Sequence, residues 1–233
     1  MTEFRPSRFQ ILPVIVKNLI IINGLVFLAQ VTVGKQFNMD DLFALHTWQS
    51  PLFKPWQFVT HMFMHGNIGH IFFNMFALWM FGSVLENSWG PKRFLAFYLV
   101  CGLGAALAHM IVLYYENQNL IAAYNSWDAL TQQVNALAVK AKINEATLGA
   151  SGAVFGCLAA FGYLFPNTTL IILPIPFPIK AKWAVLGYAA LELYGALQNS
   201  AGDSVAHVAH LGRALVGFLI VYFWNKNNRR HFY

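Results

Sequence analysis

Charge is what this chain has least of. Only 10% of its 233 residues are Asp, Glu, Lys or Arg, where a soluble domain carries about 25%. That deficit excludes an ordinary water-exposed globule. Cysteine is nearly absent: Cys101 and Cys157 both sit inside apolar runs, which leaves no disulfide framework and no Cys-based metal motif. Internal repeats are missing, which argues against a transporter built from paired halves with broken helices. A small-residue cleavage site is missing too. Residues 1–11 are polar and none follows the first apolar run, so no cleavable signal is expected.

What the chain has is apolar length. It is 58% hydrophobic with 21 Phe and 7 Trp, and its mean hydropathy is +0.50. A membrane crossing takes about 20 mostly apolar residues. The spacing predicts an all-α membrane protein with six spans, at about Val16–Val33, Gly69–Leu85, Phe94–Leu113, Gly149–Leu164, Trp183–Leu197 and Val205–Trp224. Between them lie a polar-aromatic connection at 34–55, a tight turn at Glu86–Arg93 with Gly90-Pro91 as its breaker, an insertion at 115–146 that is amphipathic around Trp127–Lys142, and a Pro-rich loop at Pro166–Lys182.

Net charge is +6 and the pI about 9.4, but the basic residues cluster at span ends, which reads as topology rather than as a nucleic-acid surface. Arg5, Arg8, Lys17, Lys92, Arg93, Lys180, Lys182, Lys226, Arg229 and Arg230 fall on one side of a six-span bundle. Both termini are therefore expected in the cytoplasm: residues 1–15 as a leading segment, 16–224 as the membrane domain, 225–233 as a basic tail. The 115–146 insertion is then extracytoplasmic. Trp89, Trp183 and Trp224 mark the inner interface, and Trp48 and Trp56 the outer one.

Polar groups inside spans are costly and are functional candidates for that reason. On this topology Ser151, His207, His210, His65, His70 and Asn74 all converge near the outer ends of spans two, four and six. A serine set among glycines, as in Gly149-Ala150-Ser151-Gly152, has two readings. It is a small residue that lets helices approach, or a nucleophile, which needs an adjacent base. His210 is the candidate base, on another helix. His70 and Asn74 stand at i and i+4, hence on one helix face. With the Ser151 N–H they are candidate donors to an oxyanion. A lone His or Asn in a span is also commonly interhelical glue, and His46, His61 and His109 are read as structural. The His61, His65 and His70 spacing of four and then five does not match the His-Glu-x-x-His zinc arrangement, so no metal is expected.

These residues also carry a resemblance. Gly149-Ala150-Ser151-Gly152 with Phe155-Gly156, His65-Gly66-Asn67-Ile68-Gly69-His70-Ile71-Phe72-Phe73-Asn74-Met75, and Ala209-His210-Leu211-Gly212 with Gly217 resemble the rhomboid intramembrane serine proteases, in order and spacing over about residues 10–225. The resemblance implies a six-helix bundle with Ser151 as nucleophile and His210 as base. It makes His70 and Asn74 oxyanion donors and Phe155 an aromatic packed on the base. It implies no cofactor, and single-span or multi-span membrane proteins as substrates, cut near their outer ends within the bilayer. A multi-pass protein of the bacterial inner membrane is the expectation.

Three departures accompany it. The family's usual Trp-Arg in the first connection is Trp56-Gln57 here. The insertion between spans three and four is long. Three residues after the base the family places a small residue, and here stands Arg213, on the face of span six that packs on span four. Glu192, at a similar depth in span five, is its candidate partner. A catalytically impaired relative that binds transmembrane clients is the alternative that Arg213 keeps open.

Overall fold

A computed structural model describes residues 9–171, 178–187, 190 and 218–224. His210, Arg213 and Glu192 lie outside the described residues, as do most of spans five and six.

Among the described residues, three helices are long and apolar enough to cross a membrane. The first, α1 (Val14–Thr32), buries only Val16, Leu19 and Asn23. Ile21, Ile22, Leu25 and Leu28 face outward, as a lipid-facing helix requires. Its first turn has no cap of its own, because Pro13 precedes it with no side-chain hydrogen bond. The orphan N–H groups of that turn are served from elsewhere. The buried Glu86 carboxylate accepts from Ile15 N at 2.9 Å and Val16 N at 2.9 Å. Read from the sequence as a turn residue, Glu86 is instead a buried cap for a neighbouring helix. Asn87 reinforces the same junction through two hydrogen bonds with the Gln10 backbone.

After the short helices α2 (Met39–Phe43) and α3 (Gln57–Thr60), the second span combines α4 (Ile68–Ala77), a π-turn (Leu78–Gly82) and α5 (Ser83–Trp89). The π-turn ends at a close approach of three helices. A Cβ on Gly82 would stand 3.0 Å from Leu78 and Phe94 side-chain carbons and 3.2 Å from Val16. The break after it is shorter than the expected Glu86–Arg93 turn. The helix runs to Trp89, Gly90 reverses the chain at φ 81, and α6 begins at Pro91. Proline at the first helical position loses no hydrogen bond there.

The largest difference from the sequence reading is α6 (Pro91–Ser126), an unbroken 36-residue helix. The apolar run stops near Leu113, but no Gly or Pro follows Gly104 until Gly149, so the backbone has no reason to stop. At 1.5 Å per residue α6 is about 54 Å long, against a hydrocarbon layer of about 30 Å. The insertion is therefore the upper part of α6 plus α7 (Ala129–Ile143), a helical hairpin. Asp128 caps α7, accepting from Leu130 N and Thr131 N at 3.1 Å each and from the Thr131 hydroxyl at 2.6 Å. That hydroxyl, more than any other contact, holds the Asp128 carboxyl below its usual range. Gln132 and Tyr124 exchange two hydrogen bonds that lay α7 back along α6.

At the centre is α8 (Ser151–Leu164), short, apolar and buried on nearly all sides. It packs most extensively on α6, where Phe94, Phe97, Tyr98, Cys101, Cys157 and Ala160 are fully buried. Small residues make the approach possible. Met62 lies over Gly102 of α6, and Val185 over Gly162 of α8, the second contact docking the helical residues 181–187. The described residues are mostly helical, as expected, and include one two-residue antiparallel ladder, β1 (Thr169–Leu170) with β2 (Ile179–Lys180), inside the expected Pro-rich loop.

The connection at 34–55 is irregular but ordered by side chains. Gln57, fully buried, accepts from His46 N and Lys54 N through Oε1 and donates to Asp41 O and Leu52 O through Nε2. Where the family places arginine, this amide ties four backbone groups together.

Candidate active site

The site is assembled at the heads of α4 and α8. Asn67 opens α4 in an extended conformation, and its side chain accepts from His70 N at 2.8 Å. An asparagine three residues before a polar helix position is the N-cap signature. This cap fixes the first turn that carries His70. Asn74, one turn on, is buried, and its amide donates to His70 O at 2.9 Å. That bond occupies one of its two amide protons.

One contact of the His70 ring bears on its tautomer. Gly66 N donates to Nδ1 at 3.4 Å, so in the neutral ring Nδ1 accepts and the proton resides on Nε2. That Nε2 edge lies against Gly149. A Cβ on Gly149 would stand 2.8 Å from both Cε1 and Nε2 of His70, and 3.8 Å from Ser151 Oγ. Gly149 has φ 129, a conformation that side-chain-bearing residues rarely adopt. The glycine therefore serves twice: it permits the backbone turn into α8 and leaves the slot in which His70 faces the serine.

Ser151 is the first residue of α8, half-buried, following the fully buried Ala150. First-turn N–H groups point out of a helix and carry the positive end of its dipole, the environment an oxyanion needs. Phe155, half-buried, stands one turn further along. Of the sequence candidates, the fold brings Ser151 and His70 together, with Asn74 beneath His70. His210 lies outside the described residues.

The approach to Ser151 is clamped. His46 Nδ1 pairs with Asn144 O at 2.9 Å, and the Ser50 hydroxyl donates to Asn144 Oδ1 at 2.7 Å. Leu45 and Thr147 exchange two backbone hydrogen bonds of 2.8 Å, and Gly149 N donates to His61 O at 2.9 Å. His109 Nε2 meets the Thr147 hydroxyl at 2.6 Å. His46, His61 and His109 thus act as fasteners, as the sequence suggested. His61 Nδ1 is engaged by Gln57 O at 2.8 Å. Among the described residues no three His, Cys, Asp or Glu side chains group as metal ligands.

His65 is the member whose role the sequence did not assign. Its backbone is held by Gln30, which accepts from His65 N at 2.9 Å and donates to His65 O at 3.3 Å. Its ring, 2% exposed, meets that of His70 edge-on at 5.1 Å. Burial first, and the neighbouring His70 second, lower its pKa to about 4. A neutral aromatic wall therefore stands beside His70 at neutral pH.

These features define a class: a helical membrane protein with a serine heading a buried helix and a histidine beside it. The chain belongs to the rhomboid family of intramembrane proteases, whose Rhomboid domain matches residues 52–227. It is 28% identical over 213 residues to the Rhomboid protease AarA of Providencia stuartii, covering 87% of this chain and 69% of that protein. It is 30% identical to the mitochondrial Rhomboid protein 1 of Saccharomyces cerevisiae, over 70% of this chain and 40% of that one. It is 31% identical to the chloroplastic Rhomboid-like protein 11 of Arabidopsis thaliana, over 75% of this chain and 54% of that one. The chain thus spans about half the length of the two organellar relatives. Bacterial, mitochondrial and chloroplast proteins stand side by side here, so the family defines an integral membrane protein without fixing which membrane.

Proposed function

We propose that this chain is a serine endopeptidase that cuts membrane-protein substrates within the bilayer, near the outer face. Ser151 Oγ attacks the scissile carbonyl carbon. His210 takes the hydroxyl proton and returns it to the leaving amine. The resulting acyl-enzyme is hydrolysed by water with His210 again as base. His70 Nε2–H, the remaining Asn74 amide proton and the Ser151 N–H stabilise the oxyanion, and Phe155 packs on the His210 imidazole. Six spans, both termini in the cytoplasm, the 115–146 hairpin outside, and the inner membrane of a bacterium complete the reading. The observation that carries it is the His70 geometry: Gly66 N–H on Nδ1 leaves a protonated Nε2 edge at Gly149, beside Ser151 Oγ.

The test is cleavage of a single-span reporter by the chain in proteoliposomes. Ser151→Ala abolishes cleavage and fluorophosphonate labelling while leaving thermal unfolding unchanged. Cleavage that survives in this variant sinks the mechanism. Arg213 favours one second reading, a relative that binds transmembrane clients without cutting them. In that case the native chain is not labelled by the probe, and Arg213→Gly restores both labelling and cleavage.

A further inference from the structure

Gln30, in the last turn of α1, takes no part in the proposed chemistry, yet its side-chain amide is fully engaged at the approach to α4. Oε1 accepts from His65 N at 2.9 Å. Nε2 donates to His65 O at 3.3 Å and to Asp40 Oδ1 at 3.4 Å. Two amide protons thus meet two acceptors. Turned over, the amide would set its NH2 against the His65 N–H, so it has one orientation. Among the described residues no other hydrogen bond holds the His65 main chain.

The clamp controls a single peptide group. His65 C=O and Gly66 N–H belong to one planar, trans unit, in which the two groups point in opposite directions. Gln30 holds the carbonyl end, and the N–H end is aimed at His70 Nδ1, 3.4 Å away. Holding one end therefore sets the direction of the other. The bond to Nδ1 is long and has little slack. Rotating the peptide plane by about 30° takes its N–H out of line with the ring nitrogen.

We infer that Gln30 is a positioning residue for catalysis, setting the His70 ring through the His65–Gly66 peptide. The inference rests on the proposed role of His70 as an oxyanion donor. It gives α1 a part in the reaction although that helix supplies no group to the site. Glu86 fastens the first turn of α1, and Gln30 fastens its last turn to the head of α4. Glutamate would not serve in its place. A carboxylate has no proton for His65 O and would face Asp40 with like charge. Gln30, Asp40, His65 and Gly66 line an open cavity of about 910 Å3, so water can replace a truncated side chain. Water satisfies the His65 carbonyl without fixing its direction. Loss of Gln30 therefore affects turnover more than stability.

The test is reporter cleavage by the full chain in proteoliposomes, with kcat and KM measured for Gln30→Met, Gln30→Ala, His70→Ala and the two double variants. Gln30→Met keeps the length without the amide, and Gln30→Ala admits water. Each lowers kcat about tenfold, a part of the 10²–10³ that a lost donor costs. KM and thermal unfolding stay near native, because an oxyanion donor acts in the transition state. In the His70→Ala background neither substitution lowers kcat further, since no ring is left to position. Thr32→Val lies in the same turn and removes a hydroxyl that bonds only within its own helix; it leaves kcat native. Native kcat in both single Gln30 variants overturns the inference. So does a loss that persists in full beside His70→Ala, the mark of a merely structural residue. Native kcat in His70→Ala overturns the oxyanion reading itself, and the inference with it.

Discussion

Replacing Gly149 by alanine puts the site geometry under direct strain. The new Cβ would lie 2.8 Å from Cε1 and Nε2 of His70, where carbon needs about 3.5 Å or more. Either the His70 edge retreats by roughly 0.7 Å, or the α8 entry shifts. A donor set at about 2.9 Å from an oxyanion would then stand beyond hydrogen-bond range. Loss of one such donor lowers kcat by about 10²–10³. The backbone adds a second cost, since alanine at φ 129 is strained by about 1–3 kcal/mol. Reporter cleavage in proteoliposomes reads the first effect and thermal unfolding the second. A double-mutant cycle separates them. If Gly149 acts by giving His70 its place, then Gly149→Ala combined with His70→Ala loses no more kcat than the worse single variant. Gly24→Ala, with no atom within 4 Å of the new methyl group, leaves kcat unchanged. Native kcat in Gly149→Ala, or fully multiplicative losses in the double variant, would refute the reasoning.

Removing the Glu86 carboxylate leaves the Ile15 and Val16 N–H groups unpaired in the first turn of α1. Glu86→Ala is expected to cost about 2–5 kcal/mol, and Glu86→Gln, which keeps one acceptor, clearly less; thermal unfolding in detergent measures both. Gln57→Leu keeps the volume but strips four backbone groups of their partner, so the 34–56 connection becomes protease-sensitive at temperatures where the native chain resists, with a stability loss of about 3–5 kcal/mol. His65 titrates near 4 in the fold and near 6.5 in the unfolded chain. Between these values the unfolded state takes up the proton and the folded state does not. The stability is fully present above pH 6.5 and falls as the pH drops towards 4, by roughly 3 kcal/mol in total. His65→Gln removes this part of the pH dependence of the melting temperature, and an unchanged profile would count against it.

Much of this was legible in the residues, and the gaps have physical reasons. Hydropathy located the three long apolar helices among the described residues because the bilayer demands apolar length, and the i, i+4 relation of His70 and Asn74 followed from helix geometry alone. Hydropathy could not end α6, because a helix stops at backbone breakers or competing caps rather than where its side chains turn polar. The absence of Gly and Pro between Gly104 and Gly149 was the usable signal. Glu86 looked like a turn residue because its partners belong to a helix some 70 positions away in sequence, so only the packing of α1 on α5 reveals why a carboxylate is buried there. Gln57 looked like a lost arginine. Its value lies in four backbone groups whose convergence no local pattern encodes. The hydrogen bond from Gly66 N to the His70 ring was not legible either, since the sequence offered that glycine only as part of a motif.

The clamp between residues 45–61 and 144–149 has a consequence for how the protein can change. The fastenings hold residues 144–149, the strap from α7 to Ser151, so a truncation or an added sequence in α7 meets them before it reaches Ser151 along the chain. The second helix of the hairpin is mounted on the membrane domain as an accessory on a fixed bracket. Its length and its outer surface can be revised, by mutation or by design, while the serine keeps its place.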